Sequence, residues 1–405
     1  MKPIVRAGRM KPVHSDIRGP LFVEAMKRQK QGIDILKLNT GNPATFGFGL
    51  PDSIKNALIE HMQDGVGYCD FKGMPQARQA ICDYETSKGI KGITSDDVFI
   101  GNGVSEVVSF ALTPLLNDGD EVLVPSPSYS LWGNSVYLED GKPVFYTCDE
   151  QANWYPDIKD IRSKITDKTK AIVIINPNNP TGVLYPKELL LEIIQIARES
   201  GLLIFADEIY DRLVMDGKQH IPLASLTEDV PVITLNGLSK SHCLCGYRCG
   251  WMVISGPREL TEDYRQGIIQ LTSLRLCANT MAQIVIPAAL DDMETPASMV
   301  RPGGRIYEQR EATVRELEKI DGLSFVKNDA AFYVFPKLDV KKFNITNDKQ
   351  FAHDLLDVTN ILLVPGSGFD WKDPDHFRIV MLPQADILSD AIRRMGTFLD
   401  GYKQK

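Results

Sequence analysis

Residues 232–251 read VITLNGLSKSHCLCGYRCGW, and the order of parts in this stretch sets the reading of the whole chain. An apolar, β-branched run of strand length comes first and turns at Asn236-Gly237. A loop of small residues then presents Ser239 and Lys240, with Arg248 eight positions further on. A lysine amine taken out of water beside a positive charge favours its neutral form, and a neutral amine can form an imine with a carbonyl. Arg248 keeps its charge and offers a planar fork of donors suited to a phosphate. Alone, the two side chains decide nothing, because most lysines and arginines are solvated surface charges.

Upstream, strand and helix patterns alternate. Val98-Phe99-Ile100 runs into Gly101-Asn-Gly103-Val104-Ser105, and a helical pattern follows from Glu106 to Leu116. Strand signals recur at Glu121–Val124, Pro143–Tyr146, Ala171–Ile175 and Leu202–Ala206, with a helix expected from Pro186 to Ser200. Almost wholly apolar runs such as AIVII (171–175) suit parallel strands covered on both faces. The pattern predicts an α/β fold, with a mostly parallel sheet, helices on both faces and right-handed crossovers. Beyond Thr295 the character changes. A Pro302-Gly-Gly304 breaker precedes a charged helix over Arg305–Lys319, then strand-like runs at 331–335, 361–364 and 377–381, with a helix near 351–357. This predicts a smaller α+β domain over residues 297–405, a large domain over 51–296, and an N-terminal arm with part of the small domain over 1–50.

Composition narrows the class. The 405 residues carry 45 basic and 53 acidic side chains, a net −8 that argues against a nucleic-acid or anionic-membrane footprint. No apolar run approaches the ~18–20 residues of a membrane span, and residues 1–20 lack the apolar core of a signal peptide. Seven scattered cysteines fit free thiols in a reducing cytoplasm. The expectation is a cytoplasmic protein of enzyme size.

In open α/β sheets ligands gather at the carboxyl ends of the strands, and unusual residue groups fall there. Gly103-Val104-Ser105 opens a helix whose first amides suit a phosphate, although the same motif serves as a plain turn and N-cap. Asn176-Pro-Asn-Asn-Pro-Thr-Gly182 is a longer and more constrained loop than a simple connection needs, and puts Asn179 where it can donate to a ring oxygen. Its other reading is an Asx-turn network that ends a strand. Asp207 closes an apolar strand, so its carboxylate needs a cation or donors; a protonated pyridine nitrogen and a structural ion pair both qualify. Tyr210, three residues on, could share a bond to the ring's phenolic oxygen.

Taken together, Asn179-Pro-Thr-Gly182, Asp207-Glu-Ile-Tyr210, Ser239-Lys240 and Gly246-Tyr-Arg248-Cys-Gly250 resemble the class I and II (fold-type I) pyridoxal-phosphate aminotransferases. Their order agrees, and so does their spacing: 28 residues from Asn179 to Asp207 and 33 from Asp207 to Lys240. The resemblance implies pyridoxal 5′-phosphate as cofactor, bound through Lys240, which then carries the proton between Cα and C4′. It places Asp207 on the ring nitrogen, Asn179 and Tyr210 on the phenolic oxygen, and Tyr129 against the ring face. The Val104 and Ser105 amides, Ser239 and Arg248 fall on the phosphate, with Tyr68 supplied by the neighbouring subunit of a homodimer. Arg378 becomes the clamp for the substrate α-carboxylate, assisted by the Gly41 amide. Many family members have serine where this chain has Gly237, so one phosphate hydroxyl is missing and Ser239 stands in for it.

A finer match, in Asn39-Thr-Gly-Asn-Pro43, residues 171–182 and Leu274-Arg-Leu-Cys-Ala-Asn279, is similar to bacterial transaminases that pair glutamate with pyruvate. It implies a ping-pong exchange between glutamate/2-oxoglutarate and pyruvate/alanine. Arg275 and Arg18 are then candidates to read the distal carboxylate of glutamate, with surface or interfacial salt bridges as their other reading. The same residue set also serves C–S β-lyases and aminotransferases for other neutral or aromatic amino acids. A cofactor-binding transcription regulator would place a DNA-binding domain ahead of these motifs, which here start by residue 41. A metal site at His242, Cys243, Cys245 and Cys249 has three sulfurs within seven residues but no second CxxC pair; no metal is expected.

Overall fold

The computed structural model describes residues 2–405. Eight strands form one sheet, in the order Val98–Asn102, Cys249–Ser255, Val232–Gly237, Leu203–Asp207, Thr169–Ile175, Glu121–Ser126, Lys142–Asp149 and Tyr155–Pro156. The five strands from Val232–Gly237 to Lys142–Asp149 run parallel to one another. Leu203–Asp207 and Val232–Gly237 are buried along their whole length, as strands covered on both faces must be. The chain is therefore α/β, as its alternating pattern predicts.

Strand Cys249–Ser255 departs from that alternation, since it runs antiparallel to both neighbours. Its connection explains the reversal. Gly237 pairs with Gly250, and the residues between hold only the four-residue helix Leu238–Ser241, too little for a parallel crossover. The helix expected over 106–116 spans Val104–Leu112 instead. It starts directly on Gly103, and it stops before Pro114, which has no N–H to continue the ladder. Helix Lys187–Ser200 ends as its sequence suggests, on Gly201 at φ +65°.

The C-terminal strands are shorter than expected: Tyr333–Val334, Ile361–Leu362, Val364–Pro365 and Phe377–Val380. Phe377–Val380 is flanked by the first and third of these in an antiparallel sheet of three. Leu36–Lys37 pairs in parallel with Ile361–Leu362, so the end of the N-terminal arm belongs to this layer. Helices Arg305–Leu317 and Ala385–Leu399 pack against each other, over a core that includes Leu317, Phe351, Phe377, Ile392 and Met395. Among the described residues no helix is long and apolar enough to cross a membrane.

Candidate active site

Three parallel strands end side by side and deliver their terminal loops to one place. Asp207 is the last residue of its strand and is buried. Trp132 Nε1 donates to its Oδ2 at 3.0 Å and the Ile209 amide to its Oδ1 at 3.4 Å. Burial pushes the Asp207 carboxyl pKa up, and these two donors only partly oppose that push. Among the described residues no cationic side chain pairs with it. A buried carboxylate in this state is a receptor for a cation.

Lys240 lies on the short helix Leu238–Ser241, and its Nζ donates to the Gly41 carbonyl at 3.0 Å, 5.8 Å from the Phe332 ring centroid. Gly41 has to be glycine: a Cβ there would sit 2.3 Å from the Tyr333 hydroxyl and 2.9 Å from the Phe332 ring. The Tyr333 hydroxyl accepts from Tyr210 at 3.0 Å.

Arg378 mirrors Asp207 with the opposite sign. It is fully buried, and burial lowers its pKa. Nη1 donates to Asn179 Oδ1 at 2.9 Å and Nη2 to the Asn39 carbonyl, while Nε has no partner. The guanidinium lies against the Tyr333 and Phe369 rings, with centroids at 4.5 and 4.6 Å. Among the described residues no carboxylate pairs with it. A flat, buried, half-satisfied fork of donors is the shape that a carboxylate fills.

The third corner is built by close backbone approach. Gly103 has φ +84°, and a Cβ on it would lie 2.2 Å from Arg248 Nη2. One on Gly250 would lie 2.4 Å from the Val104 amide nitrogen. Arg248 itself sits in the left-handed region at φ +57°, with Nη1 donating to the Cys245 carbonyl at 2.8 Å. The N-terminus of helix Val104–Leu112, with the Val104 and Ser105 amides, is thus pressed against a fixed guanidinium. Ser239 is buried nearby in sequence, between Gly237 and Lys240. The structure explains Gly237: a Cβ there would meet the Cys249 carbonyl oxygen at 2.5 Å, so the neighbouring strand occupies the space a serine needs.

Other expected residues are placed differently. Arg275 is engaged elsewhere: Nη1 pairs with Glu106 at 2.6 Å and Nη2 donates to the Phe71 and Ile100 carbonyls at 3.2 Å. It braces the start of the helix, in keeping with the salt-bridge reading that the sequence left open beside a distal-carboxylate role. Arg18 is exposed, one residue past Ile17, whose carbonyl accepts from Asn39 Nδ2 at 2.8 Å. Tyr129 follows strand Glu121–Ser126, three residues before Trp132. Tyr68 is 85% exposed. The His242, Cys243 and Cys245 side chains diverge: Cys245 Sγ faces Asn42 Oδ1, Cys243 Sγ faces Met299 Sδ, and His242 Nε2 lies 3.2 Å from the Asp292 carbonyl.

Trp132, Tyr333, Phe332 and Asn39 are site residues that the sequence reading missed. Trp132 had a signal, since a tryptophan just after a strand end needs a partner for its N–H when buried. Phe332 and Tyr333 read as ordinary strand residues.

Residues 33–392 match the family model of the class I and II aminotransferases. The chain belongs to this family. It is 50% identical, over the full length of both chains, to a glutamate–pyruvate aminotransferase (AlaA) of Haemophilus influenzae. Among solved structures it matches an aminotransferase from Escherichia coli, 47% identical with a TM-score of 0.98 and full coverage of both chains. It also matches an alanine aminotransferase from Pyrococcus furiosus, 40% identical with a TM-score of 0.92, covering 98% of this chain and all of the other.

Aminotransferases of this family use pyridoxal 5′-phosphate. The donor set here fits that cofactor. Asp207 lacks the cation that a protonated pyridine supplies, Lys240 is the amine for its aldehyde, and Arg248 beside the helix amides suits its phosphate.

Proposed function

We propose that this chain exchanges amino groups between glutamate and pyruvate, forming alanine and 2-oxoglutarate, and that it runs in both directions. The observation that carries this reading is the pair Asp207 and Arg378, two buried, opposite charges, each without a counter-ion. One awaits a cationic ring and the other a carboxylate, so the site takes an α-amino acid against pyridoxal phosphate. Relatives named for glutamate–pyruvate and alanine transfer at 45–50% identity favour this substrate pair over β-elimination.

When bound, the cofactor supplies an electron sink for the charge that develops at the substrate Cα. Asp207 keeps a proton on the pyridine nitrogen. Asn179 offers its amide N–H2 to the phenolic oxygen, its own carbonyl being held by Arg378. Tyr129 would line the ring face, and Tyr210, fixed by Tyr333, would border the same oxygen. Arg248, Ser239 and the Val104 and Ser105 amides would hold the phosphate. Arg378 orients the α-carboxylate with help from Gly41, which aims the Cα–H at Lys240 Nζ. Lys240 would take that proton at Nζ and hand it back as the exchange completes. Arg18, exposed in the N-terminal arm, and Arg275 are the candidates for the distal carboxylate of glutamate; alanine needs no such partner.

The protein acts as a homodimer in this reading. Support comes from apolar side chains left in solvent around the Tyr68 loop: Val66, Leu274 and Leu276. Tyr68 and Cys277–Thr280 line one hollow beside them. Residues 51–296 form the cofactor-binding domain, and residues 297–405 with the end of the arm form the small one. Seven unpaired thiols support a reducing, cytoplasmic setting.

The test follows the visible absorbance of purified protein. Glutamate alone should bleach the cofactor band, and pyruvate should restore it with alanine appearing. A band unchanged by glutamate, with pyruvate and ammonia released from cysteine-type substrates, would replace transfer by β-elimination.

A further inference from the structure

Behind the site, on the far side of the Asp207 loop, lies a second set of charges that the chemistry above does not use. Lys88, at the end of helix Pro75–Ser87, has a side chain only 15% exposed. Its Nζ lies 2.7 Å from Glu85, 3.1 Å from Asp211 and 3.4 Å from Glu208, all three carboxylates being buried. Three buried acids around one ammonium are costly to assemble, and each reaches a different part of the active site.

Asp211 Oδ2 accepts from Asn236 Nδ2 at 2.8 Å, and Asn236 Oδ1 accepts from the Gly237 amide at 2.7 Å, directly before the helix that carries Lys240. The Tyr84 hydroxyl also donates to Asp211, at 2.5 Å, and accepts from Arg212 Nε at 3.0 Å. Glu208, the neighbour of Asp207, accepts from the Leu223 amide at 3.0 Å. His220 lies 3.9 Å from Glu208, and its Nε2 donates to the Asn176 carbonyl at 3.1 Å, at the root of the loop that carries Asn179. Glu85 accepts from Trp251 Nε1 at 3.4 Å, on the strand that follows Arg248. The cluster therefore reaches three of the segments that the cofactor reading uses: 176–182, 207–211 and 236–241.

We propose that Lys88 is a positioning residue for transamination, which fixes these three loops in register by holding Glu85, Glu208 and Asp211 in one cluster. The inference rests on the cofactor-binding reading above. Lys88 touches neither cofactor nor substrate and works by orienting Asp207, Asn179 and Lys240 through their chain neighbours. Without its charge the buried acids lose their shared partner and Glu85 and Glu208, already pushed up by burial, take up protons, so the loops lose their fixed spacing.

The test compares wild type, K88M and K88R. Wild-type protein must first bind pyridoxal phosphate and show its visible band; failure there removes the cofactor reading itself. In K88M the cofactor dissociation constant should rise about tenfold, as expected for one member of a coupled network. The pH midpoint of the visible band should shift. In cofactor-free protein, amide exchange should quicken in 176–182 and 207–213 while helix Ala385–Leu399 stays protected. K88R, which keeps the charge, should restore all three readouts. A folded K88M with wild-type cofactor affinity and unchanged loop exchange overturns the proposal. So does exchange that quickens equally over the whole molecule. If K88M does not fold, D211N carries the same measurements, with the same local loss expected and the same wild-type behaviour overturning the idea.

Discussion

Trp132 Nε1 donates to Asp207 Oδ2 at 3.0 Å, and this bond joins the first turn of helix Leu131–Leu138 to the end of strand Leu203–Asp207. It fixes the direction of the carboxylate before any cofactor arrives. W132F removes the donor while keeping most of the ring packing against Phe205, whose centroid is 5.4 Å away. Leaving a buried carboxylate short of a donor costs about 1–3 kcal/mol. Cofactor affinity should fall about tenfold, read by absorbance titration of the cofactor-free protein, and its thermal midpoint should drop. An unchanged affinity would mean that Asp207 is oriented by the Ile209 amide alone.

Arg378 holds Asn179 as well as facing the substrate, so its variants separate the two duties. R378K keeps a charge but loses the fork. It should retain the visible band and bind amino acids far more weakly, with kcat/KM down about 100-fold, near the 2–5 kcal/mol cost of breaking a buried charge pair. Glutamate and alanine should suffer alike, because both present the same α-carboxylate. A loss confined to glutamate would move Arg378 to the distal end of the substrate.

Gly103 and Gly237 test the phosphate corner by volume. G103A forces a methyl to within 2.2 Å of Arg248 Nη2, at a backbone φ of +84° that alanine rarely adopts. The guanidinium must move, so the variant should release cofactor on dialysis and lose at least about 1 kcal/mol of stability. G237S should not act as a gain of a phosphate hydroxyl. Its Cβ meets the Cys249 carbonyl at 2.5 Å, and the expected result is a lower thermal midpoint with no tighter cofactor binding.

The contrast between these residues shows what one chain can reveal before it is folded. Asp207, Asn179, Lys240 and Arg248 stand at strand ends or in loops whose composition is unusual, and local pattern is enough to mark them. Trp132, Tyr333 and Asn39 act through partners 75, 123 and 339 residues away, and no local pattern encodes such a meeting. The direction of strand Cys249–Ser255, by contrast, follows from its short connection to Val232–Gly237, which leaves no room for a parallel crossover. Arg275 shows the converse: a plausible charge in the right segment, already taken by Glu106. Lys88 ends a helix with ordinary surface character in sequence, and only the fold brings Glu208 and Asp211 to it.

The N-terminal arm carries the clearest pH dependence. His14 lies 3.0 Å from Asp370 and 3.5 Å from Asp16, while its backbone N–H donates to Asn134 Oδ1 at 3.1 Å. Hydrogen bonds to Asp16 and then Asp370 raise the imidazole pKa from 6.5 to about 9. The folded value lies above the unfolded one, so the charged imidazole stabilises the fold fully below about pH 6.5. That contribution is lost as pH rises from there through about 9. H14Q removes the titration but keeps a polar side chain. The difference in thermal midpoint between wild type and H14Q should be largest near pH 6 and should vanish near pH 10. Asp16 also pairs with Lys349 at 3.1 Å, a contact that H14Q leaves in place. A gap that is flat over the whole range would show that His14 is not the cation that pins the arm.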